Sequence, residues 1–234
     1  MRIGVIAAMR AELDALTGML ESPGTVTKAG FAFHTGVLGG RDAVLVLSGI
    51  GKVNAAVGTA LLIEDFAPDA VVNTGVAGGF SPAIRVGDIV LSEEVRHHDV
   101  DVVCFGYEYG QVPGMPPAYR ADGALLRAAR AARPADPGVA VHSGLIVSGD
   151  RFLGHEDAEA VLSRFPGALA GEMEAAAVAQ ACGLFGTPFL VTRSISDIVT
   201  EEGNKTVFDE FLPVAARNSA AFVIDMLSRI EEET

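Results

Sequence analysis

Two short runs place carboxylates where the surrounding chain is almost wholly apolar. Gly171-Glu172-Met173-Glu174 leads into Ala175-Ala176-Ala177-Val178-Ala179, and Arg193-Ser194-Ile195-Ser196-Asp197 closes a run that starts at Pro188. A charge in such company is costly unless it is paired or used. A third carboxylate, Glu12, follows Ala7-Ala8-Met9 at the start of a helical pattern. Taken alone it reads as a solvated group favoured by the positive end of a helix dipole. Taken together, three carboxylates at strand-to-helix junctions share one edge of a sheet, where α/β folds bind ligands. Cleaving an N-glycosidic bond needs an acid for the departing base and a base to orient water. It also favours negative charge near the sugar as that ring becomes cationic. Carboxylates meet all three needs, and the apolar surroundings of Asp197 supply the desolvation that keeps an acid protonated. Side chains and water suffice for this chemistry, without metal or organic cofactor.

The elements that must position these groups follow from periodicity. Ile3-Gly4-Val5-Ile6-Ala7 precedes a helical pattern over residues 9–20, and Ala43-Val44-Leu45-Val46-Leu47 precedes another over 52–66. This alternation is βαβ grammar. Further strands are predicted at residues 70–74, 88–92, 144–148 and 189–195, while residues 31–38 and 41–47, joined by Gly39-Gly40, read as an antiparallel hairpin. A single-domain α/β fold over residues 1–234, with a mixed central sheet flanked by helices, is expected. A last helix is marked by Phe208, Phe211, Leu212, Ala215, Ser219, Phe222, Val223, Met226, Leu227 and Ile230, with acidic residues after it. Pro213 must lie in its first turn or bend it.

Composition excludes several classes. With 234 residues, 50% hydrophobic and 20% charged, the chain can bury a substantial core. A net charge of −13 opposes nucleic acid and anionic membrane surfaces. No apolar run free of charge approaches the roughly 18 residues of a membrane span. Two distant cysteines, Cys104 and Cys182, and a start without a basic, apolar signal segment fit a cytoplasmic setting. Gly75-Val76-Ala77-Gly78-Gly79 lacks the Walker lysine and the dinucleotide spacing; its glycines equally suit close approach of backbone to a sugar or base and a plain tight turn. His97-His98-Asp99 and Asp101 look ligand-like, yet adjacent histidines on an extended segment point apart and no second cluster completes a shell. Gly-x-Ser-x-Gly is absent, which argues against a serine hydrolase. Residues 106–117, rich in Pro and Gly, form a structured loop. Phe105, Tyr107, Tyr109, Pro113, Met115 and Tyr119 in and around it read as an exposed apolar surface for a subunit interface or ligand lid, the alternative being a plain surface loop.

In order along the chain, Ile3-Gly4-Val5-Ile6-Ala7-Ala8-Met9, Ser48-Gly49-Ile50-Gly51-Lys52-Val53-Asn54, Asn73-Thr74-Gly75, Ala77-Gly78-Gly79, Phe105-Gly106-Tyr107, Ser148-Gly149-Asp150, Glu172-Met173-Glu174 and Ser196-Asp197 resemble the bacterial 5'-methylthioadenosine/S-adenosylhomocysteine nucleosidases. The likeness spans nearly the whole chain, and the wider group is the purine nucleoside phosphorylase-like α/β fold. The resemblance implies that Asp197 protonates adenine at N7, Glu12 positions or deprotonates water, and Glu174 holds the ribose hydroxyls. It places Met173 under the ribose, Phe152 stacked on adenine, backbone near Leu153 at the base edge, and Arg193 and Ser196 beside the sugar and Asp197. It counts Val76, Ala77 and Gly78 among the substrate-binding residues, Val76 standing near the water or ribose where relatives often carry a serine or threonine. Met9, Ile50, Val102, Phe105, Tyr107, Pro113 and Phe208 would line the pocket for the 5'-thioether, some of them donated by the second subunit of a homodimer. Arg151 and residues 200–205 are given no catalytic role. The ligand is a small nucleoside; preference among methylthioadenosine, S-adenosylhomocysteine and 5'-deoxyadenosine stays open. The competing readings are a phosphorylase, an aminodeoxyfutalosine nucleosidase and a non-catalytic nucleoside-binding protein. Asn73, Val76 and Glu12 argue against the first, since a phosphorylase must present cations to phosphate.

Overall fold

The computed structural model describes residues 1–231; Glu232 and Glu233, part of the acidic stretch after the last helix, lie outside the described residues. The described residues form eleven strands and six α-helices. The strands are β1 (Arg2–Ala7), β2 (Glu21–Lys28), β3 (Phe31–Leu38), β4 (Arg41–Leu47), β5 (Ala70–Asn73), β6 (Val76–Gly79), β7 (Ile89–His97), β8 (Tyr119–Arg120), β9 (Val141–Ser148), β10 (Ala168–Glu172) and β11 (Phe189–Ile198). The helices are α1 (Arg10–Thr17), α2 (Lys52–Phe66), α3 (Gly123–Ala131), α4 (His155–Arg164), α5 (Ala175–Phe185) and α6 (Asn204–Ser228).

They form one mixed sheet in the order β2-β3-β4-β1-β5-β11-β6-β10-β9-β7-β8. β11 also pairs antiparallel with β7, so β11, β6, β10, β9 and β7 close into a ring. Strand alternation splits the core between the two faces of the sheet. Ile3, Val5 and Ala7 of β1 join a cluster with Leu13, Leu16, Leu125, Phe222 and Met226 from α1, α3 and α6. Ile6 faces the other way, with Ala55, Leu62, Val178 and Cys182 from α2 and α5. Gly4 is small because α2 lies close on that face: a Cβ there would sit 2.7 Å from Leu62 Cδ2. A third cluster, including Phe80, Val147, Val161 and Phe165, holds α4.

The mixed sheet, the α2 boundaries and the β3–β4 hairpin agree with the sequence reading; Gly39 and Gly40 supply the two positive φ angles of its tight loop. Several local readings are corrected. α1 stops at Thr17 and a strand follows at Glu21, whose residues are almost all exposed and so lack the alternation that marks a half-buried strand. Within the predicted glycine turn only Gly75 turns; residues 76–79 extend as β6 between β11 and β10. β7 runs on to His97, and β11 to Ile198, so Asp197 is a paired strand residue. α6 begins at Asn204 and continues through Pro213, well inside it. Tyr119 is buried and Met115 packs on the core, so neither belongs to an exposed surface; Phe105 does, at 78% exposed.

Candidate active site

A cavity of about 410 Å³ opens at the C-terminal ends of β1, β10 and β11 and along Val76, Ala77 and Gly78 of β6. Glu12, Glu174 and Asp197 all line it, with Glu172 as a fourth carboxylate.

Glu12 stands in the first turn of α1, and its carboxylate folds back over the helix start. Oε2 accepts the N–H groups of Ala8 (3.0 Å) and Met9 (2.9 Å), and Oε1 accepts that of Val76 (3.1 Å). This is the glutamate half of a capping box, extended to a second strand. The approach is possible because residue 75 is glycine: a Cβ there would lie 2.6 Å from Oε1. Burial pushes the Glu12 carboxyl up, against the lowering influence of Arg193 and the three N–H donors.

Glu174 precedes α5, and its Oε1 accepts one hydrogen bond, from Gly51 N–H at 2.9 Å. Asp150 accepts the next amide, Lys52 N–H, at 2.7 Å, so the segments around Gly51 and Asp150 are drawn onto the same rim. Burial, reinforced by the charge of Glu172, pushes the Glu174 carboxyl up to about 8. Asp197 takes the Ser196 hydroxyl on Oδ1 and the Asn204 amide on Oδ2, both at 2.8 Å. Its carboxyl is also raised by burial, which outweighs those two bonds.

Glu172 is differently employed. Ser148 Oγ, the N–H groups of Glu174 and Ala175, and Arg193 Nη2 all donate to it. Arg193 is 1% exposed and also donates to Asn73 Oδ1 (2.6 Å), Asn73 O and Thr192 O. It therefore lies behind the cavity wall, bonded to Glu172. Arg193, expected beside the sugar and Asp197, makes no bond to Asp197 among the described residues and reaches the site through Glu172 and through its field.

Of the residues named from sequence, Met9, Ile50, Val76, Ala77, Gly78, Phe152, Leu153, Met173, Ser196 and Phe208 line the cavity with the three carboxylates. Phe152 meets Phe208 edge to face, ring centroids 5.4 Å apart. Val102, Phe105, Tyr107 and Pro113 do not line it in this chain; they belong to the loop after β7, around a short 3-10 turn at Val103–Phe105. Ala8, Arg151, Gly171, Glu172 and Val199, which have no role in the sequence reading, also line it, and Asn204 bonds to Asp197 from just outside. Glu172 stood in the flagged acidic run and was therefore visible; Asn204 carries no sequence signal. The ligand-like histidines have protein neighbours: His97 Nε2 bonds Gln180 Oε1 at 3.0 Å, and Asp99 accepts from Lys52 and Asp150 N–H.

The model of the phosphorylase superfamily matches residues 2–228. An Exiguobacterium protein named 5'-methylthioadenosine/S-adenosylhomocysteine nucleosidase is 52% identical over 99% of this chain and 100% of its own length. One of the same name from Geobacillus thermodenitrificans is 51% identical, over 100% of this chain and 99% of its own. Among solved structures, the nucleosidase of Neisseria meningitidis in complex with methylthio-immucillin-A superposes with a TM-score of 0.93 at 46% identity, covering 97% of this chain and 98% of its own. That of Colwellia psychrerythraea, in complex with adenine, gives 0.94 at 45% identity over 98% and 96%.

Proposed function

This chain belongs to the phosphorylase superfamily and, within it, to the 5'-methylthioadenosine/S-adenosylhomocysteine nucleosidases, and from that membership we propose how its cavity performs the reaction. The chain is an N-glycosidic hydrolase that converts methylthioadenosine and S-adenosylhomocysteine to adenine and the 5'-substituted ribose.

Asp197 is the general acid. Burial raises its carboxyl and so favours the protonated form an acid needs, and Ser196 and Asn204 hold it in one orientation toward N7 of the departing adenine. Glu12, fixed by three N–H groups, orients the attacking water and takes its proton. Among the described residues Glu174 has one protein donor, which leaves its second oxygen for the ribose hydroxyls. Negative charge on this wall stabilises the sugar as it becomes cationic. Phe152 stacks on adenine while backbone near Leu153 meets the base edge, and Met173 lies under the ribose. Met9, Ile50 and Phe208 begin the 5'-thioether pocket. A homodimer completes it with Val102, Phe105, Tyr107 and Pro113 of the second copy, a reading supported by exposed Ile50, Val53 and Phe105. Two unpaired cysteines favour a cytoplasmic setting.

The observation that carries this reading is the meeting of Glu12, Glu174 and Asp197 in one cavity. It also weighs against phosphorolysis: the one cation lining that cavity among the described residues, Arg151, is paired with Asp157. The test follows adenine release from methylthioadenosine with and without phosphate, for the parent and Asp197→Asn. Release independent of phosphate, reduced roughly 10² to 10⁴-fold in the variant, is expected. Release only with phosphate, or an unimpaired variant, would overturn it.

A further inference from the structure

α6 opens with a side chain that the reaction as described leaves unused. Asn204 is 5% exposed, and its Nδ2 donates both to Asp197 Oδ2 (2.8 Å) and to the carbonyl oxygen of Leu153 (2.9 Å). An amide nitrogen has two hydrogens, so each bond takes one. The Leu153 carbonyl can only accept. Were the amide flipped, its own oxygen would face that carbonyl, so the backbone of Leu153 fixes which way Asn204 points and turns a donor toward the acid. One helical turn further on, Phe208 meets Phe152 edge to face. The start of α6 thus grips the carboxyl on β11 and the segment after β9 together.

We infer that Asn204 is a positioning residue of the hydrolysis: its amide holds the carboxyl of Asp197 in register with the backbone of Leu153, so that proton donor and base-edge contact keep one geometry. The inference rests on Asp197 being the general acid. An acid held this way transfers its proton along a set line, and a shift of about 1 Å in such a group can cost about 10²-fold in rate. The same bond favours the ionised form of Asp197 and opposes the effect of burial. Losing it therefore leaves the acid protonated to higher pH.

The test compares the parent with Asn204→Leu, which keeps bulk and removes the donor, and Asn204→Asp, which keeps shape and replaces the donor by an acceptor. Asp197→Asn runs beside them, all with methylthioadenosine across pH. The other charged groups lining the cavity are Glu12 from α1, Glu172 from β10, Glu174 before α5 and Arg151 after β9. β6 contributes none, and Lys205 and Asp209 of α6 are exposed and paired with each other. All of these are common to parent and variants, so a shifted Asn204→Leu profile reports on Asp197, while in Asn204→Asp the new carboxyl and Asp197 titrate as a pair. The expected result is a fall in kcat of about 10- to 100-fold, a higher KM, and an alkaline limb of kcat displaced upward, further in Asn204→Asp. A purely structural residue would lower the melting temperature without moving that limb. An unmoved limb in the folded variants, or failure of both to fold, would overturn the inference. If Asp197→Asn is inactive while the Asn204 variants match the parent, only this inference falls; if Asp197→Asn keeps full turnover, the acid assignment falls first.

Discussion

Replacing Glu172 by glutamine tests whether the buried ion pair behind the cavity holds the site together. The pair is almost dry: the Arg193 and Glu172 side chains are 1% and 3% exposed. Every group that meets the carboxylate is a donor, from Ser148, Glu174, Ala175 and Arg193. A glutamine supplies one acceptor oxygen where two are needed, and its NH2 must face a donor whichever way it turns. The Ser148 hydroxyl can rotate to accept, which relieves one of these conflicts. What is not relieved is the guanidinium left without a counter-charge. Breaking one side of a buried pair costs about 3–5 kcal/mol. Arg193 keeps its bonds to Asn73 and Thr192, so the lower figure applies, about 3 kcal/mol. For a chain of this size that is roughly 6–12 °C in melting temperature. Urea unfolding of Glu172→Gln, Arg193→Met and the double variant should show the double variant less destabilised than the sum of the singles, by about 1–3 kcal/mol. A Glu172→Gln variant within about 0.5 kcal/mol of the parent, or strict additivity, would refute the claim that these two groups depend on each other.

Two further outcomes follow from the same geometry. Glu174 is shifted from 4.5 to about 8, so the folded state prefers its protonated form; the stability it contributes is complete below about pH 4.5 and is lost as pH rises toward about 8. Glu174→Gln should flatten that decline of the urea midpoint, leaving a remainder from Glu12 and Asp197, whose shifts have the same sign; an unchanged slope would contradict it. Gly75→Ala should force Glu12 off its three N–H donors, since the new Cβ would sit 2.6 Å from Oε1. Turnover falls by about 10-fold or more and stability by about 1–3 kcal/mol, read by adenine release and urea unfolding; a fully active variant would mean the Glu12 cradle is not needed.

How far the sequence discloses such a site depends on what kind of contact makes it. Glu12, Glu174 and Asp197 are legible because each breaks an apolar pattern at the end of a strand or the start of a helix, and topology alone then brings those ends together. β2 and β6 escape because one is exposed on nearly every residue and the other is a four-residue strand half made of glycine, so neither carries a period. The bonding of Arg193 and the part played by Asn204 escape for a different reason: their partners lie at other points of the chain, at Glu172 and Asn73 for the first and at Leu153 and Asp197 for the second. Polar contacts of that range have no local signature. They are also what sorts the four carboxylates. Glu172 receives four protein donor groups, Glu12 three, Asp197 two and Glu174 one. A carboxylate has about four acceptor positions. Glu172 has none left and can only organise the wall, whereas Glu174 has most of its capacity free for a ligand. Two glutamates separated by one residue in sequence thus take opposite parts, and the difference lies wholly in which donors the fold turns toward each.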